Sequence, residues 1–152
     1  MRNVPANRFE SDRTFFVTST LSISRPLFAD AQNAQCILDT WDFYRARSEI
    51  ELYGFVVMQD HIHLIVQVLS PLTLDAWMNR FKSYVAHKIN CGPMWTRSYW
   101  SEVVVNEKFL RQKLHYIHLN PVRAGLVAKP ELYYWSSARD YANEAGPWRV
   151  DL

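Results

Sequence analysis

The chain has 152 residues, and its size and composition exclude several classes of protein. Apolar residues make up 49% and charged residues 21%, a balance typical of one globular domain rather than a disordered chain. The chain has only four glycines and no glycine-rich phosphate loop, which excludes the nucleotide-loop enzymes. Two cysteines lie far apart, which excludes a disulfide framework and a cysteine zinc finger and favours a reducing, cytoplasmic setting. No apolar run approaches the roughly 18 residues of a membrane span, and we expect no signal peptide and no membrane partner.

The net charge of +2 conceals an uneven distribution. Residues 1–75 hold six Arg and nine Asp or Glu, whereas residues 76–125 hold eight Lys or Arg and only two Glu. A basic block rich in aromatic residues suits a polyanionic partner, because cations neutralise phosphates and rings stack on bases. On charge alone, a solvated helix face with aromatic residues in the core explains the block at least as well.

The hydrophobic periodicity predicts seven main elements after an irregular arm at residues 1–12. The predicted strands are residues 13–21, 51–58, 61–69 and 101–106. The predicted helices are residues 30–47, 73–90 and 107–119. Asp30 is a candidate N-cap, and Pro121 is expected to stop the third helix, with a short helical piece at 123–127 and another ending near Tyr141.

The order β-α-β-β-α-β-α matches an α+β, ferredoxin-like fold. This fold has a four-stranded antiparallel sheet (βαββαβ) with two helices on one face, and here it carries an added C-terminal helix. We find no repeat or linker, so residues 1–152 are expected to form a single domain with residues 128–152 as a C-terminal extension.

A His-Ile-His triplet lies inside the third predicted strand. Because side chains alternate along a strand, His61 and His63 project from the same face, while the opposite face is entirely apolar. Two imidazoles at this spacing can converge on one metal ion. A pair of ordinary surface histidines is the alternative, and the triplet alone does not decide between them.

The third helix offers further site residues. Tyr116 and Asn120 are four residues apart and therefore share a helical face. Tyr116 is a candidate nucleophile and the amide oxygen of Asn120 a candidate third ligand, although Tyr116 taken alone is better explained as a half-buried packing residue. His115 and His118 are alternative ligands on a different face.

The triplet and the later segment Tyr-Ile-His-Leu-Asn-Pro-Val-Arg-Ala-Gly-Leu-Val, residues 116–127, together resemble the single-tyrosine HUH transposases, and in particular the REP-associated tyrosine transposases. The resemblance extends to residues 54–58, 95–100 and 134–137 and to Tyr141, and it covers about residues 13–141. The chain is therefore similar to that family over most of its length.

The resemblance implies an enzyme that nicks single-stranded DNA and transfers the strand. It implies that His61, His63 and Asn120 bind Mg²⁺ or Mn²⁺, and that Tyr116 attacks a phosphodiester to give a 5′-phosphotyrosine and a free 3′-OH. The implied substrates are imperfect palindromes folded as hairpins. No small-molecule cofactor is implied, a monomer is favoured over a homodimer, and the setting is cytoplasmic, nucleoid-associated and bacterial.

Several residues are candidates for holding the DNA. Arg97, Tyr99 and Trp100 offer planes that can stack on unpaired bases, and Lys82 and Arg123 offer phosphate contacts. The alternative is a domesticated relative that binds hairpin DNA without cutting it. A third interpretation, an RNA-binding ferredoxin-like module, expects aromatic residues on the central strands, where this sequence has histidines.

Overall fold

The computed structural model describes residues 13–22, 25–142 and 150–151. The arm expected at residues 1–12 and most of the chain beyond residue 142 lie outside the described residues. The strands are β1 (Thr14–Thr20), β2 (Ile50–Val57), β3 (His61–Val68) and β4 (Trp100–Val103). The helices are α1 (Ala31–Ala46), α2 (Leu74–Ile89), α3 (Glu107–Arg123) and α4 (Ala138–Tyr141), with short 3-10 turns at Leu27–Ala29 and Pro130–Leu132.

The four strands form one antiparallel sheet in the order β2-β3-β1-β4. The two strands that are far apart in the chain, β1 and β3, are therefore neighbours at the centre of the sheet. This arrangement confirms the predicted α+β, ferredoxin-like fold. Within the described ranges, no helix combines the length and apolarity needed to cross a membrane.

Side-chain caps fix where the helices begin. The predicted cap Asp30 accepts a hydrogen bond from the backbone N–H of Gln32 at 2.8 Å. Asn106 does the same for α3, accepting from the N–H of Phe109 at 2.8 Å. Each cap satisfies a backbone donor that the first helical turn leaves without a partner.

One face of the sheet packs against α1 and α2. Trp41, Trp77 and Phe81 are fully buried there, against Phe55 and Leu64 of the sheet. The rings of Trp77 and Phe81 stack with centroids 5.4 Å apart. This face holds the larger share of the buried apolar side chains, and its packing therefore stabilises the domain.

The opposite face of the sheet is covered by α3. Leu110, Leu114 and Ile117 of the helix are buried against Phe16 of β1 and Ile65 of β3. The sheet therefore lies between two helical layers, and the added helix covers the face from which the two strand histidines project.

Gly54 permits the close approach of α3 to β2. It lies at a β-bulge, where the register between β2 and β3 shifts between Leu52 and Gly54. A Cβ atom at this position would overlap the Cδ2 methyl of Leu114. Glycine is required here by the space that the helix occupies.

Two predicted boundaries are wrong. The third helix does not stop before Pro121 but continues to Arg123. It ends in a Schellman turn, in which the N–H groups of Leu126 and Gly125 donate to the carbonyls of Pro121 and Val122 at 3.0 Å. Gly125 takes the left-handed conformation that this turn needs, with φ of 76°, so the segment expected as a separate helical piece is the end of α3.

The fourth strand also differs from its prediction. It begins at Trp100 and ends at Val103, rather than spanning residues 101–106. After β4 the N–H of Val104 still donates to the Thr14 carbonyl at 2.8 Å, and Asn106, two residues later, serves as the cap of α3.

We expect Gly54→Ala to destabilise the protein by about 1–3 kcal/mol, because the added methyl group overpacks the contact with α3. Combining it with Leu114→Ala removes the overlapping group. The double variant should therefore lose less than the two single changes together, as measured by urea unfolding. Strict additivity would contradict the assigned contact.

Candidate active site

The two histidines of β3 converge beneath α3. Their ring centroids are 4.8 Å apart, closer than the strand spacing alone suggests. His63 is 4% exposed, whereas the His61 side chain is 24% exposed and reaches the rim. The interpretation of the pair as ordinary surface histidines is therefore wrong for His63.

Each imidazole is oriented by a hydrogen bond at Nδ1. The Asp60 carboxylate lies 2.7 Å from His61 Nδ1, and because a carboxylate only accepts, this nitrogen carries the proton. The Thr18 hydroxyl lies 2.8 Å from His63 Nδ1 and can accept in the same way. His61 thus has its Nε2 atom available as a ligand, and the tautomer of His63 in which Thr18 accepts presents its Nε2 in the same way, as metal-binding histidines do.

His63 is held neutral. Burial lowers the pKa of His63 to about 3, with smaller electrostatic contributions from His61 and Lys113. A neutral imidazole has the lone pair that a metal ligand needs.

Tyr116 lies directly over this pair. Its ring meets the His63 ring edge to face, with centroids 5.5 Å apart, and meets Phe16 in the same way at 6.0 Å. The side chain is 43% exposed, so the phenol is accessible at the rim. The guanidinium carbon of Arg123 lies 5.5 Å from the Tyr116 ring centroid.

Asn120 lies one helical turn beyond Tyr116. Asn120 and His61 line one groove of about 370 Å³, together with Asp60 and Met58. In the ranges that the structure describes, no three His, Cys, Asp or Glu side chains form a cluster that could hold a metal ion without other ligands. The candidate metal ligands are therefore two imidazoles and the amide oxygen of Asn120. Three ligands would leave coordination positions of a metal ion open.

The two alternative histidines lie elsewhere. His118 is half-buried on the other side of α3, where its Nε2 lies 2.8 Å from Ser137 Oγ and its ring packs against Tyr141. Burial lowers the pKa of His118 to about 4, with a smaller contribution from His115. His115 is exposed. Neither joins the strand pair.

The predicted DNA-contacting residues fall into two groups. Trp100 lies in one cross-strand row with Thr18 and His63, so its side chain is on the face that carries Tyr116. It is 61% exposed. Two strand spacings, about 10 Å, separate it from His63 along the row.

The second group lies on the other side of the β4 edge. Lys82 Nζ is 5.9 Å from the Tyr99 ring centroid, and Tyr99 donates a hydrogen bond to Asp75 of α2. Burial, followed by the contact with Asp75, raises the pKa of Tyr99. With Arg97 these residues line a groove of about 450 Å³. The structure therefore separates Lys82, Arg97 and Tyr99 from Trp100 and Arg123.

Sequence reasoning missed three supporting residues: Thr18, Asp60 and Ser137. Asp60 precedes the histidine triplet directly, so its position in the chain was an available signal. Thr18 and Ser137 carry no such signal, because their contacts depend on the pairing of β1 with β3 and on a segment placed against the outer edge of β2.

The fold, and a helix that carries a tyrosine over a histidine pair, can now be compared with known protein families. A family model of the IS200-like transposases matches residues 23–120. The chain belongs to that family.

Individual proteins similar to this chain are known by sequence and by structure. The REP-associated tyrosine transposase of Escherichia coli strain K12 is 28% identical over 108 residues, which cover 67% of this chain and 64% of that protein. The structure of a REP-associated tyrosine transposase bound to a REP hairpin superposes with a TM-score of 0.74 at 24% identity, covering 99% of this chain and 90% of that one. A candidate transposase from Deinococcus radiodurans R1 gives a TM-score of 0.52 at 18% identity, covering 68% and 87%. The two structural matches confirm the fold.

We expect Ser137→Ala to destabilise the protein by about 1–3 kcal/mol. The Ser137 hydroxyl accepts from the buried N–H of Phe55 at 3.0 Å and pairs with the half-buried His118 on α3, so its loss removes a partner from two groups at once. Urea unfolding measures the change. Ser83→Ala, at an exposed position of α2, is the control and should be neutral. Equal effects would contradict this role of Ser137.

Proposed function

We propose that the chain is a metal-dependent DNA transesterase. It nicks single-stranded DNA at hairpin-forming palindromes and transfers the strand through a 5′-phosphotyrosine at Tyr116. The observation that carries the proposal is the 5.5 Å edge-to-face contact between the Tyr116 and His63 rings, which joins a candidate nucleophile to a candidate metal ligand.

His61, His63 and Asn120 are the residues proposed to hold Mg²⁺ or Mn²⁺. Two imidazoles and a neutral amide oxygen fit a divalent ion, and the hydrogen bond by which the Asp60 carboxylate orients His61 supports this, because metal-binding histidines commonly make such a bond. When bound, the ion would polarise a non-bridging phosphate oxygen and stabilise the negative charge that develops there.

Tyr116 is proposed to attack the phosphorus through its phenol oxygen. The Oη–P bond forms as the bond from phosphorus to the 3′-oxygen breaks. The phenol proton passes to solvent, and the leaving 3′-oxygen takes a proton from solvent. A second 3′-OH reverses these steps and rejoins the strand, because a phosphotyrosine conserves the phosphodiester bond energy. The guanidinium of Arg123 lies beside the Tyr116 ring, where it can pair with an approaching phosphate.

Single-stranded hairpin DNA is the proposed partner. One structural relative is described as bound to a REP hairpin. In this chain the exposed Trp100 offers an unpaired base a stacking surface on the Tyr116 face of the sheet. Lys82, Arg97 and Tyr99 offer a second contact around the β4 edge. A monomeric state and a nucleoid location stay predictions.

We expect Tyr116→Phe to abolish the covalent DNA adduct and to leave hairpin binding within about twofold, because the ring is kept and only the nucleophilic oxygen is lost. The measurement is intact mass after incubation with Mn²⁺ and single-stranded hairpins from the DNA flanking the gene. Tyr84→Phe, at an exposed tyrosine of α2, is the control and should form the adduct normally.

Two outcomes would contradict this prediction in different ways. An adduct that persists in Tyr116→Phe removes Tyr116 from its role. A wild-type chain that binds hairpins and forms no adduct under any metal condition indicates the non-cleaving relative instead.

We expect His61→Ala and His63→Ala each to abolish metal-dependent cleavage and to reduce Mn²⁺ affinity below detection by calorimetry. Asp60→Asn should weaken Mn²⁺ binding about 10–100-fold, because the carboxylate orients His61. His115→Ala, an exposed helical histidine, is the matched control. A comparable loss in that variant would overturn the ligand assignment.

A further inference from the structure

Lys113 places a positive charge among three aromatic rings beside Tyr116. Its Nζ atom lies 4.6 Å from the ring centroid of Phe16, 5.3 Å from that of Phe109 and 5.9 Å from that of Tyr116. The side chain is 24% exposed. Lys113 precedes Tyr116 by three residues, so both side chains lie on the same side of α3.

Glu102 of β4 holds this ammonium group. Its Oε1 atom lies 3.3 Å from Lys113 Nζ and accepts a hydrogen bond from Trp100 Nε1 at 2.9 Å. The hydrogen bond from Trp100, followed by the contact with Lys113, lowers the pKa of Glu102, so this carboxylate is ionised. One oxygen thus connects the exposed Trp100 to the cation next to Tyr116.

Phe16 connects this cation to the histidine pair. Its ring stacks on His63 with centroids 5.7 Å apart and planes inclined by 15°, and it meets Tyr116 at 6.0 Å. Lys113 Nζ lies over the same ring. The cation is therefore adjacent to the nucleophile and to one of the two imidazoles.

The aromatic rings around Lys113 distinguish its ion pair from an ordinary surface salt bridge, which needs no such rings. Exposed ion pairs contribute little to stability, and the pair between Arg111 and Glu107 on the outer side of α3 is of that kind. The ammonium of Lys113 is instead surrounded by rings, where a charge interacts more strongly with an incoming anion because less water screens it.

We propose that Lys113 is a further catalytic residue, whose ammonium contacts a non-bridging oxygen of the scissile phosphate, and that Glu102 is the positioning residue that holds it there. This rests on the proposed function. Lys113 exchanges no proton with Tyr116 in this role. Its contribution is to stabilise the charge on the phosphate while the Oη–P bond forms and the bond to the 3′-oxygen breaks.

The test compares five proteins: the wild type, Lys113→Met, Lys113→Arg, Glu102→Gln and the control Arg111→Met. Each is incubated with saturating single-stranded hairpin DNA and Mn²⁺, and the single-turnover rate of adduct formation is measured by mass. Fluorescence anisotropy gives the hairpin Kd, and thermal unfolding by circular dichroism verifies that each variant is folded.

We expect Lys113→Met to slow adduct formation about 100-fold with the Kd changed by less than about fivefold, as for the loss of one group that stabilises a transition state. Lys113→Arg should recover most of the rate, because it keeps the charge. Glu102→Gln should slow the reaction about tenfold, since the ammonium is then less well positioned. Arg111→Met removes the same charge from the same helix and should react normally.

A Lys113→Met rate within threefold of the wild type, an equal loss in Arg111→Met, or no recovery in a folded Lys113→Arg would overturn the assignment of Lys113 alone. Absence of the adduct in the wild type would overturn the proposed function together with it. The two failures are therefore distinguishable.

Discussion

The packing of α3 against the second face of the sheet is the contact on which the candidate site depends. Leu114 and Ile117 are buried against Phe16 and Ile65, and Gly54 leaves the space for Leu114. Tyr116 and Asn120 occupy the neighbouring positions of the same helix, so their placement over the strand histidines follows from this apolar contact. Ser137 adds a polar anchor through His118 on the far side of the helix. A shift of α3 would therefore move the candidate nucleophile and the candidate third ligand together.

The same packing changes the chemistry of the residues beneath it. A polar ring buried under a helix costs free energy unless it is hydrogen-bonded, and Thr18 provides that bond to His63. Burial also keeps His63 neutral, whereas His61, at the rim, faces a carboxylate. Exclusion of water thus sets the state of one imidazole and a charged neighbour orients the other, and the two rings lie with centroids 4.8 Å apart.

Much of this arrangement could be predicted from periodicity. The period of two places His61 and His63 on one face of β3, the four-residue spacing places Tyr116 and Asn120 on one face of α3, and the order of elements predicts the sheet. The contact of Thr18 with His63 could not be predicted, because it requires the register between strands 45 residues apart. The predicted end of α3 was wrong because Pro121 was expected to break the helix. The helix continues to Arg123, and the turn at Gly125 sets its end. Local patterns thus predict which residues share a face, and tertiary contacts decide what faces them.

The distribution of charge around Tyr116 explains why the small net charge of the chain is a poor guide to its partner. Lys113 and Arg123 lie three residues before and seven residues after Tyr116, and both place their cations within 6 Å of its ring centroid. The imidazole below is neutral, so the positive charge is concentrated at the rim, where an anion would enter. The Glu102 carboxylate, 3.3 Å from Lys113 Nζ, offsets part of this charge, whereas more distant acidic residues cancel the cations in the total but act weakly at the ring, because salt screens exposed charges beyond about 10 Å. An approaching phosphate would therefore respond to the local field at Tyr116 rather than to the overall charge of +2.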